Sequence, residues 1–207
     1  MTDSLLIADC RAAALRGGAW WATLAKVFCT DASYRAVVRF RLSHVWWRRG
    51  GLLRRLAILL YWANLKRGLD ILPNVRVGKG LKLPHPLGIT IGGDAVIGRF
   101  ALILSNVTIG ATGKVRVRPD GARQFMPQIG DFVNIGAGAV IIGPVTIGDH
   151  VRIGANAVVL SDVPDFATVA GVPARVISVA PGPTDSFLTR VFPEELPPEP
   201  AGPGATE

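Results

Sequence analysis

Residues Ile129 to Val159 read IGDFVNIGAGAVIIGPVTIGDHVRIGANAVV, and an aliphatic residue returns at every sixth position: Ile129, Ile135, Ile141, Ile147, Ile153 and Val159. Glycine follows four of them, at Gly130, Gly136, Gly148 and Gly154. Valine or alanine sits four places on, at Val133, Ala139, Val145, Val151 and Ala157. An amphipathic helix repeats at about 3.6 residues and a simple strand at two, so neither gives this period. A fixed period is the mark of a solenoid, and a hexad is the period of a parallel β-helix. Each hexad is then a short strand plus a turn, with the aliphatic side chain pointing inward and glycine supplying turn conformations that other residues resist. Three hexads close one triangular coil, so residues three hexads apart stack.

The same period extends towards the N-terminus. It runs through Ile71, Val77, Leu83 and Ile89, slips by two, and resumes at Ile91, Ile97, Ile103 and Ile109. Ala111 to Gln128, ATGKVRVRPDGARQFMPQ, breaks the register with polar, basic, Gly- and Pro-containing sequence. It reads as an excursion from one corner of the prism, the kind of loop on which function concentrates.

Residues 1–68 have no such repeat and read as a basic α-helical region. One helix is expected over Cys10 to Phe28, and a second over Tyr34 to Arg49, capped by Asp31 or Ser33 and stopped at Gly50-Gly51. A third is expected over Leu52 to Arg67, with Leu52, Leu56, Leu59, Leu60 and Ala63 as its apolar stripe. The hexapeptide region spans 69–177, with its loop at 111–128. Residues 178–207 are Pro/Gly-rich and expected to be mostly disordered, with a short anchored piece around Phe187 to Phe192. The expected class is mainly β, a parallel β-helix with helices before it.

Charge separates these regions. Residues 1–70 carry 12 Lys/Arg against 4 Asp/Glu, which accounts for the whole net charge of +8. The remainder balances. Cys10 and Cys29 have no metal-like spacing and fit small buried residues of a reduced, cytoplasmic protein. The opening MTDSLLIADC lacks the basic region of a signal peptide, and no apolar run reaches the ~20 residues of a bilayer span.

One short segment is neither helix nor central strand. In LKLPHPLGIT, Leu81 to Thr90, proline flanks His85 on both sides, fixing φ at about −65° and removing two backbone donors. On residue type alone His85 is more readily an ordinary corner residue than a base.

Three segments resemble the hexapeptide-repeat acyltransferases, the left-handed β-helix family, and within it the serine acetyltransferase branch: Asp70 to Ile89, Ser105 to Lys114, and Ile153 to Ile177 with its AGVPAR. The resemblance implies that His85 is a general base and that Asp70, earlier in the chain, orients it. Their spacing is three short of a full coil, so the two side chains are expected near each other on adjacent coils. A neutral imidazole suits proton abstraction from a hydroxyl near neutral pH. The resemblance also implies acetyl-CoA as donor, a homotrimer with active sites between prisms, and donor contacts at Gly110, Ala111, Thr112, Gly113, Lys114, Ala137, Ala155 and Arg175. Lys114 and Arg175 would meet the nucleotide phosphates. A backbone N–H near Gly110 or Ala111 would hold an oxyanion.

The chain departs from that branch where serine recognition is expected. Pro84 replaces an acidic residue before the histidine, and Phe125 and Met126 replace an Arg-His pair in a longer loop. These departures point to a saccharide hydroxyl as acceptor, with Arg116, Arg118, Arg123 and Met126 as acceptor contacts. The alternatives are a serine O-acetyltransferase of cysteine biosynthesis, for which the loop arginines would supply the carboxylate site, and a non-catalytic hexapeptide scaffold.

Trp20, Trp21, Trp46, Trp47 and Trp62 among arginines suit either a trimer-packing cap or contact with an anionic membrane surface, peripheral at the inner face. No motif supports nucleic-acid binding. His44 is expected to pack on a helix and His150 to occupy a surface turn; neither has partners that suggest a metal site.

Overall fold

The structure, a computed structural model, describes residues 32–180 and Gly182. The expected helix over 10–28, both cysteines, Trp20, Trp21 and all but the first residues of the C-terminal tail lie outside the described residues.

Helix α1 (Ala32–Arg49) and helix α2 (Gly51–Leu65) meet at Gly50 and Gly51, whose φ values of 72° and 56° suit residues without a Cβ. Ser33, expected as a cap, lies inside α1 and donates from Oγ to Pro84 O at 2.8 Å. Helix α1 buries Ala36, Val37 and Phe40, which join Leu69 and Ile71 in one apolar cluster, so the helix covers an end of the β region. Arg41, 3% exposed, donates to the carbonyls of Val77 and Gly78. The His44 ring donates from Nδ1 to Pro73 O at 2.9 Å.

The stripe expected to bury α2 faces outward instead. Leu52 is 71% and Leu59 63% exposed, while Ala57 and Asn64 are the buried residues of this helix. Periodicity identifies side chains that share a face, but the neighbouring element decides which face is covered. Among the described residues no helix is long and apolar enough to cross a membrane.

From Leu69 onward the chain winds into three parallel sheets. The first face stacks β1 (Leu69–Ile71), β3 (Ile89–Ile91), β6 (Thr108–Gly110), β11 (Val140–Ile142) and β14 (Val158–Val159). The second stacks β2 (Arg76–Val77), β4 (Val96–Ile97), β9 (Gln128–Ile129) and β12 (Thr146–Ile147). The third stacks β5 (Leu102–Ile103), β10 (Asn134–Ile135), β13 (Arg152–Ile153) and β15 (Ala167–Gly171), and β16 (Ala174–Val179) adds to it antiparallel. The inward aliphatics are buried throughout; Ile103, Ile109 and Ile141 have no exposure. The hexad reading of the core holds.

Coil length varies, and the variation shapes the edges. Val140 pairs with Val158 and Gln128 with Thr146, the expected three hexads apart. The first coil is longer than three hexads by two: Asp70 pairs with Thr90, Arg76 with Val96 and Lys82 with Leu102. Thr90 pairs with Thr108, three hexads on again, so the two extra residues lie between Lys82 and Ile89, in the corner that carries His85. That is what the phase slip in the sequence encodes. The last coil is short, with Arg152 opposite Thr168, two fewer than three hexads on.

The edge between the second and third faces carries Phe100, Phe132, His150 and Phe166, all with φ between 55° and 59°. Their rings stack, with His150 4.8 Å from Phe132 and 5.2 Å from Phe166. His150 sits at a turn as expected, but it is only 5% exposed, because rings one coil away on either side cover it. Beside this column Asp131, Asp149 and Asp165 each accept from a backbone N–H of the preceding coil, at Arg99, Asp131 and Asp149.

Candidate active site

The other two edges carry the residues expected to be functional. Between the third and first faces, His85 lies in the lengthened corner, exposed, while its backbone is held from both sides. Ser33 of α1 binds Pro84 O, Leu87 N–H donates to His85 O at 2.8 Å, and Gly88 N–H donates to Gly68 O at 2.7 Å. Gly88 has φ of 69°, and a Cβ there would run into Asn106 Oδ1, so only glycine closes the corner without strain. Among the described residues the imidazole has no hydrogen-bond partner, which leaves both ring nitrogens for a ligand.

Asp70 is not that partner here. The lengthened first coil places it opposite Thr90 on the first face, so the spacing argument built on a coil of three hexads does not hold. Asp70 Oδ1 accepts instead from Tyr61 Oη of α2 at 2.9 Å. Burial, then the hydrogen bond and charge of Asp70, push the Tyr61 hydroxyl up to about 12. Nothing local in the sequence flags Tyr61; the contact exists because α2 folds back over β1.

Following the His85 edge along the prism, Ala137 lies in the turn before β11 and Ala155 in the turn before β14. They stack directly, with Asn156 N–H donating to Ala137 O at 2.9 Å. At the far end Ala170 sits over Gly154 and pairs with Arg175 across the β15–β16 hairpin. Arg175 is exposed and donates only to its neighbour's carbonyl, Ala174 O. His85, Ala137, Ala155 and Arg175 thus share one edge. From the His85 level to that of Ala155 is three strand spacings, about 14 Å.

Gly110, Ala111, Thr112, Gly113 and Lys114 lie elsewhere, at the edge between the first and second faces where the loop departs. Gly110 O accepts from Gly143 N–H at 2.9 Å, and the next four residues are exposed. The loop forms a hairpin of β7 (Arg116–Val117) and β8 (Arg123–Gln124). Its arginines are largely engaged. Arg116 pairs with Asp162 at 2.8 Å, Arg118 with Asp120 at 3.1 Å and with Gln128 Oε1 at 3.2 Å, and Arg123 lies over the Phe125 ring. Met126 packs against the core above Gly92. The loop therefore offers an acceptor less free charge than its composition suggests.

Sequence reading overlooked a cavity of about 460 Å³ between α1, α2 and the His85 corner. His85, Pro84 and Leu69 line it together with Arg35, Arg39 and Arg67. These arginines read in sequence as ordinary basic helix surface.

Known proteins match on these same features. The family model described as "Bacterial transferase hexapeptide (six repeats)" matches residues 126–161. Serine acetyltransferase 2 of Arabidopsis thaliana is 39% identical over 148 residues, covering 70% of this chain and 43% of that protein. The serine acetyltransferase of Escherichia coli K12 is 41% identical over 145 residues, covering 70% of this chain and 50% of that protein. The chain spans about half the length of the curated relatives it matches. Among solved structures, soybean serine acetyltransferase complexed with serine aligns at a TM-score of 0.70 with 39% identity, covering 85% of this chain and 69% of that chain.

These matches overturn the saccharide acceptor. The relatives are serine acetyltransferases, the alternative considered in the sequence. The saccharide reading weighed only the substitutions at Pro84, Phe125 and Met126, whereas the cavity beside His85 is lined with cationic groups that a neutral sugar does not call for. With 39% identity to the soybean structure over a match that covers 69% of that chain, the chain belongs to the left-handed β-helix transferases of the hexapeptide repeat, on their serine acetyltransferase branch.

Proposed function

We propose that this chain is an acetyl-CoA-dependent O-acetyltransferase whose acceptor is the hydroxyl of serine. The observation that carries the reading is an exposed imidazole on an anchored corner, set between an edge of small-residue turns and an arginine-lined cavity. His85 takes the proton of the acceptor hydroxyl as its oxygen attacks the thioester carbonyl. Backbone amides stabilise the tetrahedral oxyanion, and His85 returns the proton to the departing thiolate. Attack is direct, with no acyl-enzyme. Acetyl-CoA would lie along the His85 edge, with Ala137 and Ala155 leaving room for the pantetheine arm and Arg175 meeting phosphate.

A homotrimer is part of the proposal. The loop and Gly110 to Lys114 leave from a different edge than His85, so a neighbouring prism would bring one subunit's loop to another's histidine. We further propose a cytoplasmic setting with α2 against an anionic membrane face. Support comes from the exposed Leu52, Leu59 and Trp62, and from a stretch, residues 32–69, that carries nine Lys/Arg and no acidic residue.

Thiol release from acetyl-CoA, with and without L-serine, tests the assignment. Saturable, serine-dependent release is expected from the native chain, and a loss of about 10²- to 10⁴-fold from His85→Ala. Equal background hydrolysis by the two proteins would refute catalysis and favour a scaffold.

A further inference from the structure

We propose that the cavity beside His85 is the carboxylate subsite of the acceptor, with Arg39 and Arg67 as its anion-binding residues. This rests on the acyl-transfer reading and adds recognition to it.

The cavity is built to hold guanidinium groups in place. Asn64 is 4% exposed and bridges the two helices, donating from Nδ2 to Ala36 O at 3.0 Å and accepting from Arg39 Nε at 2.7 Å. This bond fixes the plane of the Arg39 guanidinium. Among the described residues its terminal nitrogens bond nothing, which leaves the two-pronged end that matches a carboxylate. Arg67, also lining the cavity, donates from one terminal nitrogen to Ala63 O at 2.7 Å and pairs with no carboxylate among the described residues.

The electrostatics point the same way. Among the described residues no acidic side chain lines the cavity, and none occurs in the sequence between residues 32 and 69. Burial, then the like charges of Arg67 and Arg35, hold the Arg39 guanidinium below its ordinary value. An entering carboxylate would relieve that repulsion, while a neutral ligand would leave it in place. The loop, where the carboxylate site was expected, has Arg116 and Arg118 engaged by Asp162, Asp120 and Gln128. With His85 lining the same cavity, an α-amino acid bound by its carboxylate can direct its side-chain hydroxyl to the imidazole.

The test compares L-serine with L-serinamide, which keeps the hydroxyl and amine but has no carboxylate. Initial rates are measured on the native chain, Arg39→Gln, Arg39→Lys and Arg67→Gln, with equilibrium binding of both compounds by titration calorimetry. The native protein should favour serine, and each Gln variant should raise its KM about 10- to 100-fold. KM for acetyl-CoA and for serinamide should stay nearly constant. Arg39→Lys should restore only part, since an ammonium lacks the fork. Arg67 is exposed, so Arg67→Gln guards against a folding defect at Arg39. A serine-to-serinamide ratio unchanged in both Gln variants would overturn the subsite. If the native chain turns over neither compound yet binds serine in an Arg39-dependent way, the transfer reading fails and the subsite stands. Absence of both turnover and binding overturns both.

Discussion

Replacing His150 with phenylalanine tests the stacked edge directly. Three of the four ring positions in that column are already Phe, and all four share φ between 55° and 59°, so the substitution adds no backbone strain beyond what the fold carries elsewhere. The imidazole is 5% exposed between Phe132 at 4.8 Å and Phe166 at 5.2 Å. A phenyl group removes the desolvation of a polar ring and completes an aromatic stack, in which such pairs contribute about 0.5–1.5 kcal/mol. The expected gain at pH 8 is about 1 kcal/mol, a rise in Tm of about 2–4 °C for a chain of this size.

Acid should widen the gap. Burial lowers the pKa of His150 below 6.5, and the opposing pull of Asp149, Asp131 and Asp165 is weaker. Between that depressed value and 6.5 the unfolded chain binds more protons than the folded one, so stability rises with pH there and is lost as pH falls. The Phe variant lacks this loss. His44, also lowered chiefly by burial, keeps its own share, so the slope is reduced and not abolished. Urea unfolding at fixed protein concentration, at several pH values from 8 to 5, measures both effects. A variant less stable than the native chain at pH 8, or one with the same pH slope, would refute the reasoning.

Two further outcomes are expected. Asp70→Asn keeps an oxygen for Tyr61 but removes the charge: the Tyr61 hydroxyl should titrate below about 12 in ultraviolet titration. Because Asp70 bonds Tyr61 and not His85, turnover should fall far less than the about 10²- to 10⁴-fold expected of His85→Ala, with KM for acetyl-CoA unchanged. For membrane contact, the full chain should sediment with anionic phosphatidylglycerol vesicles and not with neutral ones. Leu59→Glu should weaken that binding about 10- to 100-fold, since it removes one buried Leu side chain from the contact; equal binding by both proteins would argue against α2 as the contact.

The prism was legible because every coil repeats the same instruction: Ile135, Ile141 and Ile153 each point inward from the same place in a hexad. What the repeat does not encode was harder to read. The slip between Ile89 and Ile91 was visible, yet its meaning, a corner two residues longer under His85, needs the pairing register. Written in coils of three hexads, His150 falls above Phe132, but Phe166 follows two places early because the last coil is short, which hides the stack. Tyr61–Asp70 and Arg39–Asn64 join side chains at separations that belong to no period. Their geometry comes from two helices folding over the prism end, and the arginine-lined cavity arises there too. His85 itself stood out for a local reason, the two prolines around it.

The unequal coils have a consequence for how such a site can change. A strand stack grows only in whole steps of about 4.8 Å, so the height of His85 relative to Ala155 is graduated like a ruler. Residues added at an edge, two under His85 or a hairpin after Gly110, leave every graduation where it was. On the proposed reading the donor's path would therefore be preserved while corners and loops are free to lengthen, shorten or exchange residues. In this architecture a proposed acceptor site could diverge by sideways growth alone, with the reach from thioester to base unchanged.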